Sequence, residues 1–160
     1  MDVNGIILYY SWSGNTQKIA EIIQQKTRGE LFELKPATPY PRNYSVCTQK
    51  AKQEIAVGST PELKALPHHL KNYDCIFVGS PIWWHTMAPP LLSFLKSADV
   101  SGKQIIPFCT HGGGGAGGFS RDIATQCTNA VLHDSLVLFG DGGSAAESDI
   151  TAWLERLNLS

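Results

Sequence analysis

Residues 5–10, Gly-Ile-Ile-Leu-Tyr-Tyr, run without a charge straight into Ser11-Trp12-Ser13-Gly14-Asn15-Thr16, after which Ile19, Ala20, Ile22 and Ile23 fall on helical spacing. The unbroken apolar run predicts a strand buried on both faces, and the later spacing predicts an amphipathic helix. A strand, a tight turn and a helix N-terminus therefore meet within a few residues. Such a junction is the start of a parallel α/β layer structure. The N-terminus of a helix presents unpaired backbone N–H groups and the positive end of its dipole, so an anion placed there is held largely by backbone. Ser11, Ser13 and Thr16 would add hydroxyl donors. The turn holds no Lys or Arg and lacks the Walker spacing, which argues against a Mg²⁺-bound triphosphate. A monophosphate on a larger organic ligand fits better. The same residue types also suit a plain helix cap, so the turn alone leaves both readings open.

The rest of the chain repeats the alternation. Residues 30–34 predict a short second strand, prolines at 36, 39 and 41 a loop, and residues 44–57 a helix. The apolar run at 75–79 predicts the next strand, which passes into Ser80-Pro81-Ile82-Trp83-Trp84-His85. Pro89 and Pro90 open a helix, where proline is tolerated in the first turn. Residues 104–109 predict a further strand, followed by Thr110, His111 and a run with six glycines in nine residues, 110–118. A helix near 119–127, a last strand within 131–139 and a closing helix starting at a Ser144-x-x-Glu147 capping box complete the chain. Five strands and five helices in alternation predict one doubly wound α/β domain over residues 1–160, a parallel sheet covered by helices on both faces.

With 160 residues and 42% hydrophobic content, the chain suits a single core. A formal net charge of −1 gives no electrostatic case for nucleic acid or an anionic membrane. No apolar run approaches the roughly 20 residues needed to span a bilayer, and the N-terminal residues have no signal-peptide pattern, so a cytoplasmic location is expected. Cys47, Cys75, Cys109 and Cys127 are widely spaced and form no C-x-x-C pair, and the histidines show no zinc-like spacing with them. No metal is expected, and the cysteines read as small core residues.

In an open parallel sheet, ligands sit beyond the carboxyl ends of the strands. The turns expected there are 11–16, 81–85 and 110–118, the three most unusual stretches of the sequence. A hydroxyl-rich turn, a tandem tryptophan and a glycine loop at one sheet edge suit a flat heteroaromatic ring on a phosphorylated tail. On these residues the chain resembles the flavodoxin-like FMN proteins over nearly its whole length. Ser11-x-Ser13-Gly14-x-Thr16 is similar to that family's phosphate loop, Pro81-Ile82-Trp83 to its second loop, and Thr110-His111-Gly112-Gly113 to its third. The resemblance implies a three-layer fold with strand order 2-1-3-4-5 and FMN as cofactor. It implies that Ser11, Trp12, Ser13, Gly14, Asn15 and Thr16 hold the phosphate. Pro81, Ile82, Trp83 and Trp84 would supply the aromatic side of the flavin site, with Trp83 on the ring. Backbone around Thr110, His111, Gly112 and Gly113 would meet the pyrimidine edge, and His111 would either balance charge on reduced flavin or serve the loop alone.

Three departures from the electron carriers of that family shape the functional expectation. The chain lacks a strongly acidic surface. Trp84 stands where several of them have a glycine whose peptide turns over on reduction, and a tryptophan there should resist positive φ and disfavour the one-electron-reduced flavin. The glycine loop brings no aromatic ring before Phe119, which would leave one flavin face open. Together they point to an FMN oxidoreductase passing electrons from NAD(P)H to a quinone-like or other small acceptor. A flavodoxin-type carrier between redox protein partners is the alternative. Adjacent tryptophans on one turn mark a contact with ligand, partner or a second subunit in a homodimer. Gly113-x-Gly115-x-x-Gly118 formally matches a dinucleotide fingerprint, but so glycine-rich a run matches almost automatically and leaves no room for a second Rossmann half. The segment 36–67 would cap the site, bringing Tyr40 and Tyr44 near the flavin.

Overall fold

The strand β1 (Gly5–Tyr9) is buried at every position, and its side chains alternate between two cores. The computed structural model describes residues 2–159. After β1 come α1 (Asn15–Thr27), β2 (Glu30–Glu33), α2 (Tyr44–Ala56), β3 (Cys75–Trp83), β4 (Thr86–Met87), α3 (Pro89–Ser97), β5 (Gln104–His111), α4 (Phe119–Gln126), β6 (Val131–Leu132), β7 (Leu136–Phe139) and α5 (Ala146–Leu157). The sheet runs β2-β1-β3-β5-β6, all parallel, with β7 also parallel to β5. This is the expected order 2-1-3-4-5, with β5 as fourth strand and β6 plus β7 as fifth. On one face Ile7, Phe77, Ile106 and Phe108 pack with Ile19 and Ile23 of α1 and Ile150 and Trp153 of α5. On the other, Ile6, Leu8, Ile76 and Val78 pack with Cys47 of α2, Leu91 and Phe94 of α3, and Phe119 and Ile123 of α4. Three layers result.

The fifth strand is broken in two. The Asp134 carbonyl accepts the Trp153 indole N–H at 3.1 Å. Register with β5 ends at Leu132, with one further bond from His133 N to Ile105 O at 2.9 Å, and resumes at Leu136, and the Asp134 carbonyl lies between the two halves. The expected capping box is also corrected. Ser144 lies in a short 3₁₀ turn, α5 starts at Ala146, and no side chain caps it among the described residues. Glu147 and Asp149 in its first turn face the positive end of the dipole instead. By contrast α2 is capped by a side chain, with Asn43 Oδ1 accepting from Val46 N at 3.0 Å.

The strand β3 runs longer than its apolar core and carries Pro81, Ile82 and Trp83 as strand residues. Its partner β1 ends opposite Gly79, so at Ser80 and Pro81 β3 is paired with β5 alone, a position that tolerates proline, before Ile82 and Trp83 pair with β4. No helix among the described residues is long and apolar enough to cross a membrane.

Candidate functional site

The phosphate-type turn leads into an uncapped helix. Gly14 takes the N-cap position with a φ of 97°, and no side chain caps α1 among the described residues. Ser11 Oγ accepts from Gly14 N at 3.1 Å, which folds the turn on itself. The first ladder bond joins Lys18 N to Gly14 O at 3.1 Å. The N–H groups of the first turn, at Asn15, Thr16 and Gln17, therefore lie beyond the reach of the helix's own carbonyls. Ser13 and Gly14 are exposed, whereas Thr16 is buried. Thr16 Oγ1 lies 2.8 Å from Thr110 Oγ1, which ties this turn to the end of β5.

The tandem tryptophans form a tight hairpin between β3 and β4, with Ile82 opposite Met87 and Trp83 opposite Thr86. Both central residues are left-handed, Trp84 at φ 50° and His85 at φ 69°, as a two-residue hairpin of this hand requires. This overturns the expectation that tryptophan keeps position 84 out of the left-handed region. The strain, about 1–2 kcal/mol per residue, is offset by contacts made from elsewhere. Trp84 Nε1 donates to Thr48 O at 2.9 Å, and the Lys52 ammonium lies 5.0 Å from the indole centre. Gly118 N donates to His85 O at 2.7 Å. The two rings differ in setting. Trp83 packs edge-on against Tyr10 and Tyr40, with centroids at 5.5 and 5.0 Å, while Trp84 remains 43% exposed.

The third loop follows Thr110, which is buried and paired in register with Pro81. His111 Nδ1 receives N–H bonds from Gly113 and Gly115, each 3.1 Å long. The ring also stands edge-on to Phe139 at 5.8 Å.

These stretches enclose a cleft of about 290 Å³. Of the residues singled out in the sequence, Trp12, Ile82, Trp83, Trp84, His111 and Gly112 line it. Pro81, Thr110 and Thr16 sit behind the wall as connectors, and Ser11, Ser13, Gly14 and Asn15 form the α1 end beside it. Gly113 contributes its N–H to His111 and does not line the cleft. The opposite wall is α2, through Tyr44, Cys47, Thr48 and Ala51. The expected cap is thus partly realised. Tyr44 lines the cleft, whereas Tyr40 is buried behind Trp83. No carboxylate lines the cleft among the described residues. Burial pushes the Cys47 thiol and the Tyr10 phenol up, and burial followed by the hydrogen bond to Glu54 does the same for Tyr40, so these groups stay neutral.

A family model described as flavodoxin matches residues 4–157. The chain belongs to the flavodoxin family. Solved structures share the fold of this family member. A protein of Bacteroides eggerthii described as a flavoprotein superposes with a TM-score of 0.87 at 22% identity, covering 99% of this chain and 100% of that one. A flavoprotein of Lactobacillus acidophilus, solved in complex with FMN, gives 0.75 at 25% identity over 95% of this chain and 99% of the other. Oxidised flavodoxin 2 of Bacillus cereus gives 0.57 at 18% identity, covering 95% and 98%.

Of the α2 wall of this flavodoxin-family site, only Tyr44 was read in the sequence; Cys47, Thr48 and Ala51 were not. Residues 44, 47, 48 and 51 fall on one helical stripe, the spacing that would have exposed it, but tyrosine, cysteine, threonine and alanine do not stand out as an apolar face. His85, Gly114 and Gly115 were missed as well. So was a basic wall. Lys35, Arg42 and Lys64 line a second cleft of about 270 Å³ that includes Ser11 and Trp12 of the turn before α1, with Glu33 as its one carboxylate among the described residues. The pairing of Pro36 with Leu63 brings the two lysine-bearing segments together.

Proposed function

We propose that the cleft holds FMN and that the protein is an oxidoreductase passing electrons from NAD(P)H to a quinone-like or other small acceptor. The observation that carries this reading is the joining of an uncapped helix N-terminus to the glycine loop through Thr16 and Thr110, beside a cleft walled by Trp83 and Trp84. The residues fit the cofactor's parts. The free N–H groups at the start of α1, with the Ser11 and Ser13 hydroxyls, suit a phosphate dianion. Trp12, Ile82, Trp83 and Trp84 offer apolar and aromatic surface for a flat ring. Around Gly112, Gly114 and Gly115 an added Cβ would meet no neighbour at Gly112, Gly114 or Gly115 within 4 Å, which leaves the main chain open to close approach. Bound FMN would supply hydride acceptance and stepwise electron transfer.

This chain's own part is positional. Thr16 and Thr110 keep the phosphate end and the ring end in fixed relation. The α2 wall, held by the bond from Trp84 to Thr48, excludes water from one side. The basic wall of Lys35, Arg42 and Lys64 next to Ser11 suits a phosphate-bearing donor such as a nicotinamide nucleotide.

A second reading, an electron carrier between redox proteins, gains from one observation. The left-handed peptides at Trp84 and His85 remove the backbone objection that their side chains raised. Anaerobic reduction of the FMN-loaded protein separates the two. Reduction by NAD(P)H with turnover on a quinone supports the enzyme. Inertness to NAD(P)H, with a stable one-electron stage under a chemical reductant, supports the carrier and sinks the enzyme reading.

A further inference from the structure

His111 ends β5 and lines the cleft, and its imidazole does two things at once. Nδ1 accepts N–H bonds from Gly113 and Gly115, both at 3.1 Å. A ring nitrogen that accepts carries no proton, so the imidazole is neutral with its hydrogen on Nε2. The residue is itself well anchored. Its carbonyl accepts from Gly140 N at 2.8 Å, and its ring meets Phe139 edge-on at 5.8 Å. The loop it holds is glycine-rich, with no side chains of its own to pack from 112 to 115, and ordering such backbone is costly. Among the described residues His111 is the only side chain hydrogen-bonded to the backbone of 112–115.

We propose that His111 is a positioning residue whose neutral imidazole sets the backbone of the glycine loop, so that cofactor affinity falls when the ring takes up a proton. The proposal rests on the FMN reading of the cleft. Protonation places a hydrogen on Nδ1, facing two N–H donors. Both bonds are then lost together, and the wall formed by Gly112, Gly114 and Gly115 loses its anchor. Among the described residues no carboxylate is paired with this imidazole. From α2 the ionisable groups lining the cleft are Tyr44 and Cys47, and from the β3–β4 hairpin His85. Beyond β7, Asp141 is taken by Lys18 at 3.3 Å and by Gly143 N at 2.8 Å. On α4, Asp122 is taken by Thr86 and Arg121. The neutral ring also revises the charge-balancing role considered from sequence, because Nδ1 is committed to the loop.

The test has two readouts on the full chain. In the cofactor-free protein, the backbone amide resonances of Gly113 and Gly115 are followed by NMR as pH is lowered from about 8 to about 5, the range in which imidazoles titrate. They should shift together in the native protein and in His85→Gln, and stay still in His111→Asn, whose Oδ1 accepts a hydrogen bond but does not titrate. FMN dissociation constants are then measured over the same range by quenching of flavin fluorescence. The phosphate monoester itself titrates near pH 6, so the quantity that matters is the slope in excess of that shown by His111→Asn. Loss of two bonds predicts an excess weakening on the order of tenfold at the acid end. His111→Leu should bind FMN on the order of tenfold more weakly at neutral pH, and His111→Asn should restore most of it. Amide resonances that ignore pH, or an acid weakening equally steep in His111→Asn, overturn the proposal. Absence of FMN binding at neutral pH overturns the cofactor reading instead, and the amide titration still decides the role of His111.

Discussion

Thr16 Oγ1 and Thr110 Oγ1 lie 2.8 Å apart, a contact between residues 94 positions apart in sequence. Thr16 stands in the first turn of α1 and Thr110 next to the end of β5, and both are buried, at 1% and 3% exposure. One hydroxyl pair thus sets the distance between two of the loops that build the site. The bond is worth about 1 kcal/mol net, but removing one partner leaves the other buried without it, at about 1–3 kcal/mol. Thr16→Val and Thr110→Val should each lower the stability of the cofactor-free protein by about 1–3 kcal/mol, and the double variant should cost clearly less than their sum. Urea unfolding of all four proteins closes the cycle. Strict additivity would mean that the hydroxyls act independently.

Gly117 carries the second junction. Its φ is 54°, and an added Cβ would collide with the carbonyl oxygen of His85, the same carbonyl that accepts from Gly118 N at 2.7 Å. Backbone cannot yield as a flexible side chain does. Gly117→Ala should therefore destabilise the protein by about 1–3 kcal/mol through left-handed strain and the clash. It should also loosen the Trp84–His85 hairpin from the glycine loop and weaken FMN binding. The urea midpoint and an FMN titration check both.

The parts of the site differ in how far they could be read from the sequence, and the difference is one of range. The strands around Ile7, Phe77 and Ile106 were legible because burial on both faces writes an unbroken apolar run. The start of α1 was half legible: its turn is local and stood out, but its Ser, Asn and Thr suited a helix cap as well as a free N-terminus, and the structure shows no side-chain cap there among the described residues. The left-handed hairpin was not legible, since tryptophan and histidine disfavour that conformation and the groups that hold it, at Thr48 and Gly118, lie far along the chain. The role of His111 was half legible. Its residue type marked it, but the acceptor bonds to Gly113 and Gly115 depend on a loop path that glycines do not encode. Beyond Tyr44, the α2 wall failed for a third reason, a helical stripe of mixed polarity that serves a ligand cleft as well as the core, which Cys47 also joins.

Three tyrosines at the sheet edge predict the alkaline limit of stability. Burial pushes the Tyr9 phenol up to about 12, with Glu33 adding to it, and burial moves Tyr10 and Tyr40 higher still. A group whose folded pKa is raised contributes stability that is fully present below the unfolded value, about 10 for a phenol, and is lost as pH rises through the folded value. Above that unfolded value the unfolded chain releases protons that the folded chain retains, so rising pH favours unfolding. The urea midpoint should be flat from neutral pH to about 8, begin to fall as the four buried thiols, also pushed up by burial, release protons on unfolding, and fall more steeply once the phenols do so too. Tyr10→Phe keeps the ring against Trp83 and removes the proton, so its alkaline slope should be shallower. An unchanged slope would place the alkaline sensitivity elsewhere.

The basic wall tests the choice of electron donor. Lys35, Arg42 and Lys64 line a cleft that shares Ser11 and Trp12 with the cofactor site, and none of the three is in an ion pair among the described residues. Exposed charges of this kind steer an anionic ligand and are screened by salt. If a nicotinamide nucleotide docks there, Lys35→Glu combined with Lys64→Glu should raise the KM for NADPH by about tenfold while leaving kcat near the native value, since neither side chain lines the cleft of Trp83 and Trp84. The KM of the native protein should rise with ionic strength, and that of the variant should not. FMN affinity provides the control, because the phosphate is assigned to the uncapped end of α1 and not to these lysines. A KM indifferent to both charge reversal and salt would detach the donor from this wall and shift weight to the protein-partnered carrier.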